Sequence, residues 1–178
     1  MGIQKKNESV AGTDRIYIRR ITEDDTDLIV DWRNREDVRE HFFFRERFTR
    51  QMHEDWLRTK IATGKVEQFI VCLTDTDKPI GSSYLRDIDR DGGSAEYGIF
   101  IGEASARGKG LGAEILKATM DYALNVLKLK TVRARAISDN IASIRIFENY
   151  GFKRDEIIKN VACSDASMVD MVMMSYKA

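Results

Sequence analysis

A strand pattern, a glycine-rich turn, a helix pattern and a second strand pattern follow one another in the second half of the chain. Residues 95–102 and 130–137 are strand-like, and an amphipathic stretch with helical periodicity begins between them at Leu111. Three glycines stand around the start of that helix, namely Gly108, Gly110 and Gly112. Because a helical crossover joins parallel neighbours, this order predicts a parallel pair of strands and restricts the fold to sheets that contain one.

The other strand patterns predict antiparallel neighbours, because short turns connect most of them. They cover residues 15–21, 66–73, 80–88, 152–161 and 167–176. With the helix patterns, the order of elements is β-αα-βββ-α-β-α-ββ. The expected fold is α/β (α+β), a mixed, mostly antiparallel twisted sheet of about seven strands flanked by helices. Residues 1–13 are expected to form a flexible leader and residues 14–178 a single domain.

The composition is that of a globular protein with no overall charge preference. Hydrophobic residues make up 43% of the chain, and 29 basic residues balance 29 acidic ones. A chain without net charge has no global electrostatic reason to bind nucleic acid or an anionic membrane. The two cysteines form no metal-binding or disulfide pattern, and no apolar run reaches the ~18 residues of a membrane span. These features predict a cytoplasmic protein with no metal, nucleic-acid or membrane partner.

The glycine turn has the chemistry of a phosphate-binding loop. Glycines expose the main chain and permit close approach of a ligand. The first amides of the following helix have no partner inside the helix, and the helix dipole favours an anion at this end. Arg107 and Lys109 add positive charge at the same place. A pyrophosphate is therefore the ligand that these residues suit.

Three other interpretations of the turn compete with this one. The simplest is a tight connection with no ligand, since a glycine pattern alone is weak support for a site. A Walker A loop needs Ser or Thr after the lysine, whereas Gly110 follows Lys109. Residues 108–113 formally match the dinucleotide pattern G-x-G-x-x-A, but the acidic residue expected about 20 positions later is missing. A nicotinamide-dependent oxidoreductase is kept only as a control hypothesis.

Three segments together resemble the GNAT superfamily of N-acetyltransferases. Arg107-x-x-Gly110-x-Gly112 resembles the R/Q-x-x-G-x-G/A coenzyme A loop of that family. Residues 95–102 look like its fourth strand, and residues 140–152 look like its N-x-x-S/A-I-x-x-Y-E-K-x-G-F segment. The resemblance covers about residues 15–176 and implies an N-acetyltransferase with acetyl-CoA as co-substrate.

The resemblance also implies where coenzyme A binds. Loop amides would hold the pyrophosphate, and the open edge of the fourth strand would pair with the pantetheine arm. A strand amide there would polarise the thioester carbonyl. Gly98 is expected to form a bulge that separates this strand from the next one. The implied cofactor contacts are Phe100, Ile101, Arg107, Gly108, Lys109, Gly110, Leu111, Gly112, Ala113, Asn140 and Phe147.

The catalytic residues implied by the family are only partly present. The proton-donating tyrosine of Y-E-K-x-G-F is Phe147 in this chain. Tyr150, one helical turn further on, is the candidate replacement, with a water molecule as an alternative donor and core packing as the alternative role of Tyr150. Glu96 is the candidate general base, acting through an ordered water, and a purely structural glutamate is the alternative.

Two early motifs concern the acceptor. Asp31-Trp32-Arg33-Asn34 and His53-x-x-Trp56 resemble the branch that contains ribosomal-protein alanine, polyamine and amino-sugar acetyltransferases. This resemblance favours the amine of an amino-sugar nucleotide, with a polyamine, an aminoglycoside or a protein N-terminus as alternatives. The predicted acceptor contacts are Trp32, His53 and Tyr84, with core packing of Trp32 and a surface position of His53 as the alternatives.

Two further hypotheses concern the whole protein. Because Phe147 replaces the usual tyrosine, the alternative function is a non-catalytic acyl-CoA-binding module. A strand after Asp165 is expected at the edge of the sheet, where it would support a homodimer.

Overall fold

Helices and strands follow the predicted order, with one additional strand at the beginning and a third α-helix where two were predicted. The computed structural model describes residues 8–178. Its strands are β1 (Ser9–Gly12), β2 (Ile16–Arg20), β3 (Glu67–Leu73), β4 (Pro79–Asp89), β5 (Ser94–Ile101), β6 (Thr131–Ile137), β7 (Lys153–Ala162) and β8 (Met168–Lys177). Its α-helices are α1 (Thr26–Asn34), α2 (Glu36–Arg39), α3 (Arg50–Trp56), α4 (Leu111–Asn125) and α5 (Ile141–Tyr150). A π-helical turn, Leu57–Ile61, extends α3.

The strands form one sheet in the order β1-β2-β3-β4-β5-β6-β8-β7. Of the strand pairs in the described part of the chain, β5 with β6 is parallel and the others are antiparallel. The predicted mixed, mostly antiparallel sheet is thus confirmed. Residues 9–12 belong to the predicted leader but form β1 instead, because their backbone pairs with β2, for example Ala11 with Ile18. Residues 1–7 of that leader lie outside the described residues.

Alternating side chains on the central strands build one core on each face of the sheet. Ile18 and Val71 pack with α4 and α5 on one face. Tyr17 and Cys72 belong to the other core, where Trp32 of α1 is fully buried. Because successive residues point to opposite faces, a shift of one residue would exchange the two cores, which fixes the register of these strands.

The sheet opens between its two parallel strands. Pairing of β5 with β6 ends at Tyr97 and Ala134, while β5 stays paired with β4 as far as Ile101. The bulge expected at Gly98 is absent, since Gly98 pairs in regular register with Tyr84. A Cβ at Gly98 would overlap the Tyr84 ring, so the glycine makes room for this tyrosine. The opening follows from the divergence of the strands.

The edge strand is not the one predicted. The strand after Asp165 is β8, which pairs with β6 on one side and β7 on the other, so β7 forms the edge. The reason is the direction of the closing hairpin: β7 forms on the outside, and β8 then returns between β6 and β7. Among residues 8–178, no helix combines the length and apolar character needed to cross a bilayer.

Candidate active site

A cavity of about 780 Å³ lies where β5 and β6 separate. One part of it is lined by the glycine turn and the start of α5. Another part is lined by aromatic side chains of the segment between α2 and α3 and of α3 itself. The free edge of β5 runs along its wall. This volume suits a small molecule or a cofactor arm. The cavity is formed by the separation of β5 and β6.

The glycine turn leaves the start of α4 accessible. Gly108 and Gly110 have left-handed backbone angles, with φ of +70° and +76°, which favour glycine. A Cβ on Gly108 would have no neighbour within 4 Å, and one on Gly110 would meet only Arg15 Nη2, at 3.6 Å. Gly110 stands at the N-cap of α4 without a side-chain acceptor. The first amides of this helix are therefore available to an anion.

The remaining residues of the turn divide between packing and surface. A Cβ on Gly112 would lie 2.8 Å from Ile146 Cδ1, so this glycine permits close approach of α4 and α5. Leu111 is buried at the cavity wall. Lys109 and Ala113 are exposed and are not among the residues that line the cavity.

Of the two predicted sources of positive charge beside the turn, Arg107 is already paired with an acidic residue. Arg107 is folded back, because its Nε donates to the Ile101 carbonyl at 3.0 Å and its Nη1 pairs with Asp37. Arg15, just before β2, donates from Nη1 to the Lys109 carbonyl at 3.0 Å, and its charge is paired with Glu114 in the first turn of α4. It stands 95 positions before Gly110 in sequence, so no local motif could have indicated it.

The free edge of β5 and the start of α5 complete this part of the cavity. Phe100 and Ile101 line the cavity, and the Phe100 ring packs edge-on against Phe42 with centroids 5.6 Å apart. Asn140 also lines the cavity, and its Oδ1 accepts from the Ser143 amide at 3.2 Å. Asn140 thus caps α5 and holds the helix start beside the opening.

Glu96 lies in the cavity wall on β5, one residue before the last pair that joins β5 to β6. Its Oε1 accepts from Arg86 Nε at 3.1 Å and lies 2.9 Å from Arg135 Nε. Burial raises the pKa of Glu96 above the ordinary carboxyl value, and the charge of Arg86 acts in the opposite direction. A raised pKa makes a carboxylate a better proton acceptor near neutral pH, and the two arginines hold it in place.

Phe147 and Tyr150 lie in different environments. Phe147 lines the cavity, and its ring packs edge-on against Tyr97 with centroids 5.9 Å apart. Tyr150 is not in the cavity wall: its ring packs against Tyr176 at 5.4 Å, and burial raises its pKa to about 12. The placement of Tyr150 corrects the prediction of a catalytic position, because its side chain points from α5 towards β8. The Tyr97 hydroxyl, in contrast, is buried at the cavity wall without a hydrogen-bond partner.

Two of the three predicted acceptor residues line the cavity, and the third does not. His53 and Tyr84 line the cavity. His53 is only 1% exposed, which excludes the surface position, and burial lowers its pKa so that the imidazole is neutral. Trp32 lies outside the cavity wall, because it is fully buried and its Nε1 donates to Glu103 Oε1 at 2.8 Å. Core packing is therefore what the structure shows for Trp32, in place of the predicted acceptor contact.

Several residues of the cavity were missed by sequence reasoning. They are Arg33, Phe42, Phe43, Phe44, Phe48, Arg86 and Arg135. Two signals were available. Arg33 stands inside the Asp31-Trp32-Arg33-Asn34 motif, and a surface connection rarely carries a run of three phenylalanines beside charged residues. The arginines lie on separate elements, and only the folded chain brings them together.

The family model of the acetyltransferase (GNAT) domain matches residues 15–153, and the chain belongs to this family. A spermidine N-acetyltransferase from Vibrio cholerae, solved with CoA and spermine, has the same fold. Its TM-score is 0.84 at 19% identity, over 93% of this chain and 96% of that one. The chain that carries the opening beside the glycine turn therefore has the GNAT fold.

Relatives by sequence include proteins that are named as acetyltransferases. An uncharacterized N-acetyltransferase from Bacillus licheniformis is 26% identical over 63% of this chain, and the match covers 62% of that protein's length. The aminoglycoside N(6')-acetyltransferase type 1 of Klebsiella pneumoniae is 25% identical over 86% of this chain and 82% of its own length. An uncharacterized protein from Methanocaldococcus jannaschii is matched over only 28% of its length, at 29% identity.

Proposed function

We propose that the protein is an acetyl-CoA-dependent N-acetyltransferase that acts on a primary amine of a small molecule. The observation that carries this proposal is the connection of the open helix start at Gly110 with a cavity along the free edge of β5. A diphosphate at the turn leaves the thioester arm directed along that edge. Both substrates would occupy one cavity, so that the amine attacks the thioester directly.

The residues of the turn and of β5 have distinct roles in the proposed reaction. Amides from Gly108 to Ala113 bind the pyrophosphate, and the exposed Lys109 adds positive charge nearby. Main-chain groups at Phe100 and Ile101 pair with the pantetheine arm, as an added strand would. A main-chain amide there stabilises the oxyanion that forms on the thioester carbonyl. The thioester supplies the acetyl group and a thiolate leaving group.

Glu96 is the proposed general base. An ammonium cannot attack a carbonyl carbon, so the amine must lose a proton before or during the reaction. Glu96 accepts this proton through a water molecule, and the arginines that hold its Oε1 leave the second oxygen free of those contacts. His53 is a second neutral base in the cavity, although its Nε2 is enclosed by the protein.

The names of relatives bear on the acceptor. A spermine/spermidine N(1)-acetyltransferase from Bacillus subtilis is 28% identical over 49% of this chain. Together with the spermidine acetyltransferase of Vibrio cholerae, this supports a polyamine among the predicted alternatives and does not support the preference for an amino-sugar nucleotide. The acceptor class proposed from these comparisons is therefore a small primary amine.

Thiol release tests the proposed function. Purified protein is mixed with acetyl-CoA and single amines from a panel of amino sugars, amino acids, aminoglycosides and polyamines, and free thiol is quantified. We expect thiol formation that depends on an added amine and shows saturation. The control omits the amine and measures slow hydrolysis alone. Tight coenzyme A binding without amine-dependent thiol would favour the non-catalytic acyl-CoA-binding module, for which Phe147 is the reason.

Replacement of Phe147 by tyrosine tests whether a proton donor limits the reaction. We expect kcat to change by less than about threefold, because coenzyme A leaves as a thiolate whose pKa is close to an ordinary thiol value, ~8.5. A rise of more than about tenfold would show that the missing acid is limiting. Thermal unfolding of the variant controls for disturbed packing against Tyr97.

Location and assembly belong to the same proposal. We place the protein in the cytoplasm, where thiols such as those of Cys72 and Cys163, both free and buried, stay reduced. A homodimer remains a prediction, now assigned to β7. This edge strand exposes Ile157 and Ile158, which is unusual for an unpaired edge. A Vibrio cholerae spermidine acetyltransferase of the same fold has been solved as a dodecamer.

A further inference from the structure

Arg33 is a partly buried cation that forms no ion pair within residues 8–178. It lies on α1 and lines the cavity, with its guanidinium carbon 3.5 Å from the ring centroid of Phe42 and 5.0 Å from that of Phe48. Its Nε is buried without a hydrogen-bond partner, and within residues 8–178 no carboxylate pairs with it. Burial lowers the pKa of Arg33 to about 10, so the group stays protonated at neutral pH.

Stacking on the phenylalanines does not satisfy this side chain. An aromatic ring attracts the face of a guanidinium, whereas the five N–H donors lie in its plane. Buried charges in proteins are normally paired and hydrogen-bonded, because loss of water around them is costly. Arg33 has the stacking and no hydrogen bond within residues 8–178. Its Nε is enclosed, and its other donors are open to water or to a ligand in the cavity.

The charges around the cavity reinforce this conclusion. The charged side chains in its described wall are Arg33, Arg86, Arg107, Arg135, Asp37 and Glu96. Both carboxylates are already engaged, Asp37 with Arg107 and Glu96 with Arg86 and Arg135. The wall thus has an excess of positive charge, and each of its carboxylates is already paired with at least one arginine.

We propose that Arg33 binds a phosphate or carboxylate group of the acceptor, which is then an amine that also carries a negative charge. This inference rests on the proposed acetyl transfer and narrows its substrate class. A planar guanidinium that stacks on an aromatic ring presents its donors in the fixed geometry that suits an anionic group with two oxygens. A polyamine or an aminoglycoside would place further positive charges next to Arg33.

The position of Arg33 assigns the anion to the acceptor. The Phe48 ring near Arg33 also contacts His53, with centroids 6.3 Å apart. Tyr84 is close enough to Arg33 to raise the pKa of its guanidinium, against the effect of burial. These residues form the aromatic part of the cavity. The glycine turn lines the other part, where the pyrophosphate of coenzyme A is proposed to bind. Two anions can therefore bind in one cavity at separate cationic sites.

The test uses amines that differ in a single charged group. Glucosamine 6-phosphate is compared with glucosamine, γ-aminobutyrate with butylamine, and spermidine serves as a polycation. Thiol release from acetyl-CoA gives kcat/KM for each. We expect at least one amine with an anionic group to exceed its counterpart without that group by at least about 30-fold, the effect of a desolvated charge pair. The two pairs distinguish a phosphate from a carboxylate.

Replacement of Arg33 by methionine should remove this preference. The variant keeps a long side chain for packing between the rings, and KM for the preferred anionic amine should rise at least about 30-fold. KM for acetyl-CoA and kcat/KM for the amine that lacks the anionic group should stay within about threefold. Arg33→Lys, which keeps the charge, should recover part of the preference. Arg58→Gln removes the same charge from an exposed position outside the cavity, with 76% of the side chain accessible, and should behave as the wild type.

Each other result contradicts the assignment. Equal efficiency within both pairs, or best turnover with spermidine, would overturn the role of Arg33 and leave acetyl transfer intact. The same conclusion follows if Arg33→Met and Arg58→Gln lose efficiency equally on all amines. Absence of thiol release with every amine, together with intact coenzyme A binding, would overturn the proposed function and this inference with it.

Discussion

Replacement of Glu96 by glutamine is expected to lower kcat about 10²–10⁴-fold, the usual contribution of a general base. Glutamine has nearly the same shape and retains an oxygen for Arg86, but it cannot accept a proton from the amine. KM for acetyl-CoA should change by less than about threefold, since the proposed coenzyme contacts lie elsewhere in the cavity. Steady-state kinetics with the best amine of the panel measures both constants.

The pH profile separates a base from a structural ion-pair partner. Burial raises the pKa of Glu96, so the wild type should lose kcat/KM as the pH falls through that raised value, where the carboxylate becomes protonated. The Glu96→Gln variant should lack this acidic limb and keep the limb that belongs to the amine. A variant that retains both the limb and the activity would identify Glu96 as structural.

Glu67 offers a matched control for this experiment. Its side chain is 15% exposed, against 18% for Glu96, and it also pairs with two arginines, Arg20 and Arg90. It lies on β3 outside the cavity. Glu67→Gln therefore removes a comparable ion pair without removing the proposed base, and its kcat should stay within about threefold of the wild type.

Replacement of Gly110 by aspartate is expected to weaken coenzyme A binding at least about 100-fold, because two effects act in the same direction. A carboxylate at this position would stand where phosphate oxygens approach the helix amides. It would also lie next to Arg15, whose Nη2 is 3.6 Å from the place that a Cβ at residue 110 would occupy, and would disturb the ion pair of Arg15 with Glu114 at the helix start. Isothermal titration with coenzyme A measures the loss directly.

Gly64 provides the control for backbone strain. Its φ of +72° is close to the +76° of Gly110, and a Cβ there would meet no atom within 4 Å. Gly64→Asp therefore introduces the same residue into the same left-handed conformation, outside the cavity, and coenzyme A affinity should stay within about twofold. If Gly110→Asp bound coenzyme A as tightly as Gly64→Asp does, the glycine turn would not be the pyrophosphate site.

The parallel pair and the turn were predictable because they are local. Gly108 and Gly110 are needed where the backbone is left-handed, and the amphipathic pattern after Leu111 requires a buried helix. Both constraints act within a few residues, so a single sequence expresses them. Strand β1 was missed for the opposite reason, because its short segment has little pattern of its own and is ordered by pairing with β2.

The side chains of the site were predictable only where a motif names them. Glu96 and Phe147 were found through the resemblance and do line the cavity. Tyr150 and Trp32 were misplaced, because each belongs to a helix that presents apolar residues over a wide arc. Sequence spacing alone did not tell which part of that arc faces the cavity and which faces the core.

The sequence by itself determined the order of elements, the glycine turn and the family, because these depend on short-range backbone preferences and on motifs that stay contiguous. Only the tertiary structure decided the electrostatics of the cavity. Arg33 comes from α1, Arg86 from β4 and Arg135 from β6. Whether each of these arginines is paired depends on which carboxylates the fold brings within reach. Coulomb interactions and desolvation act through space over a few ångströms. The sequence therefore did not show that the guanidinium of Arg33 has no carboxylate partner.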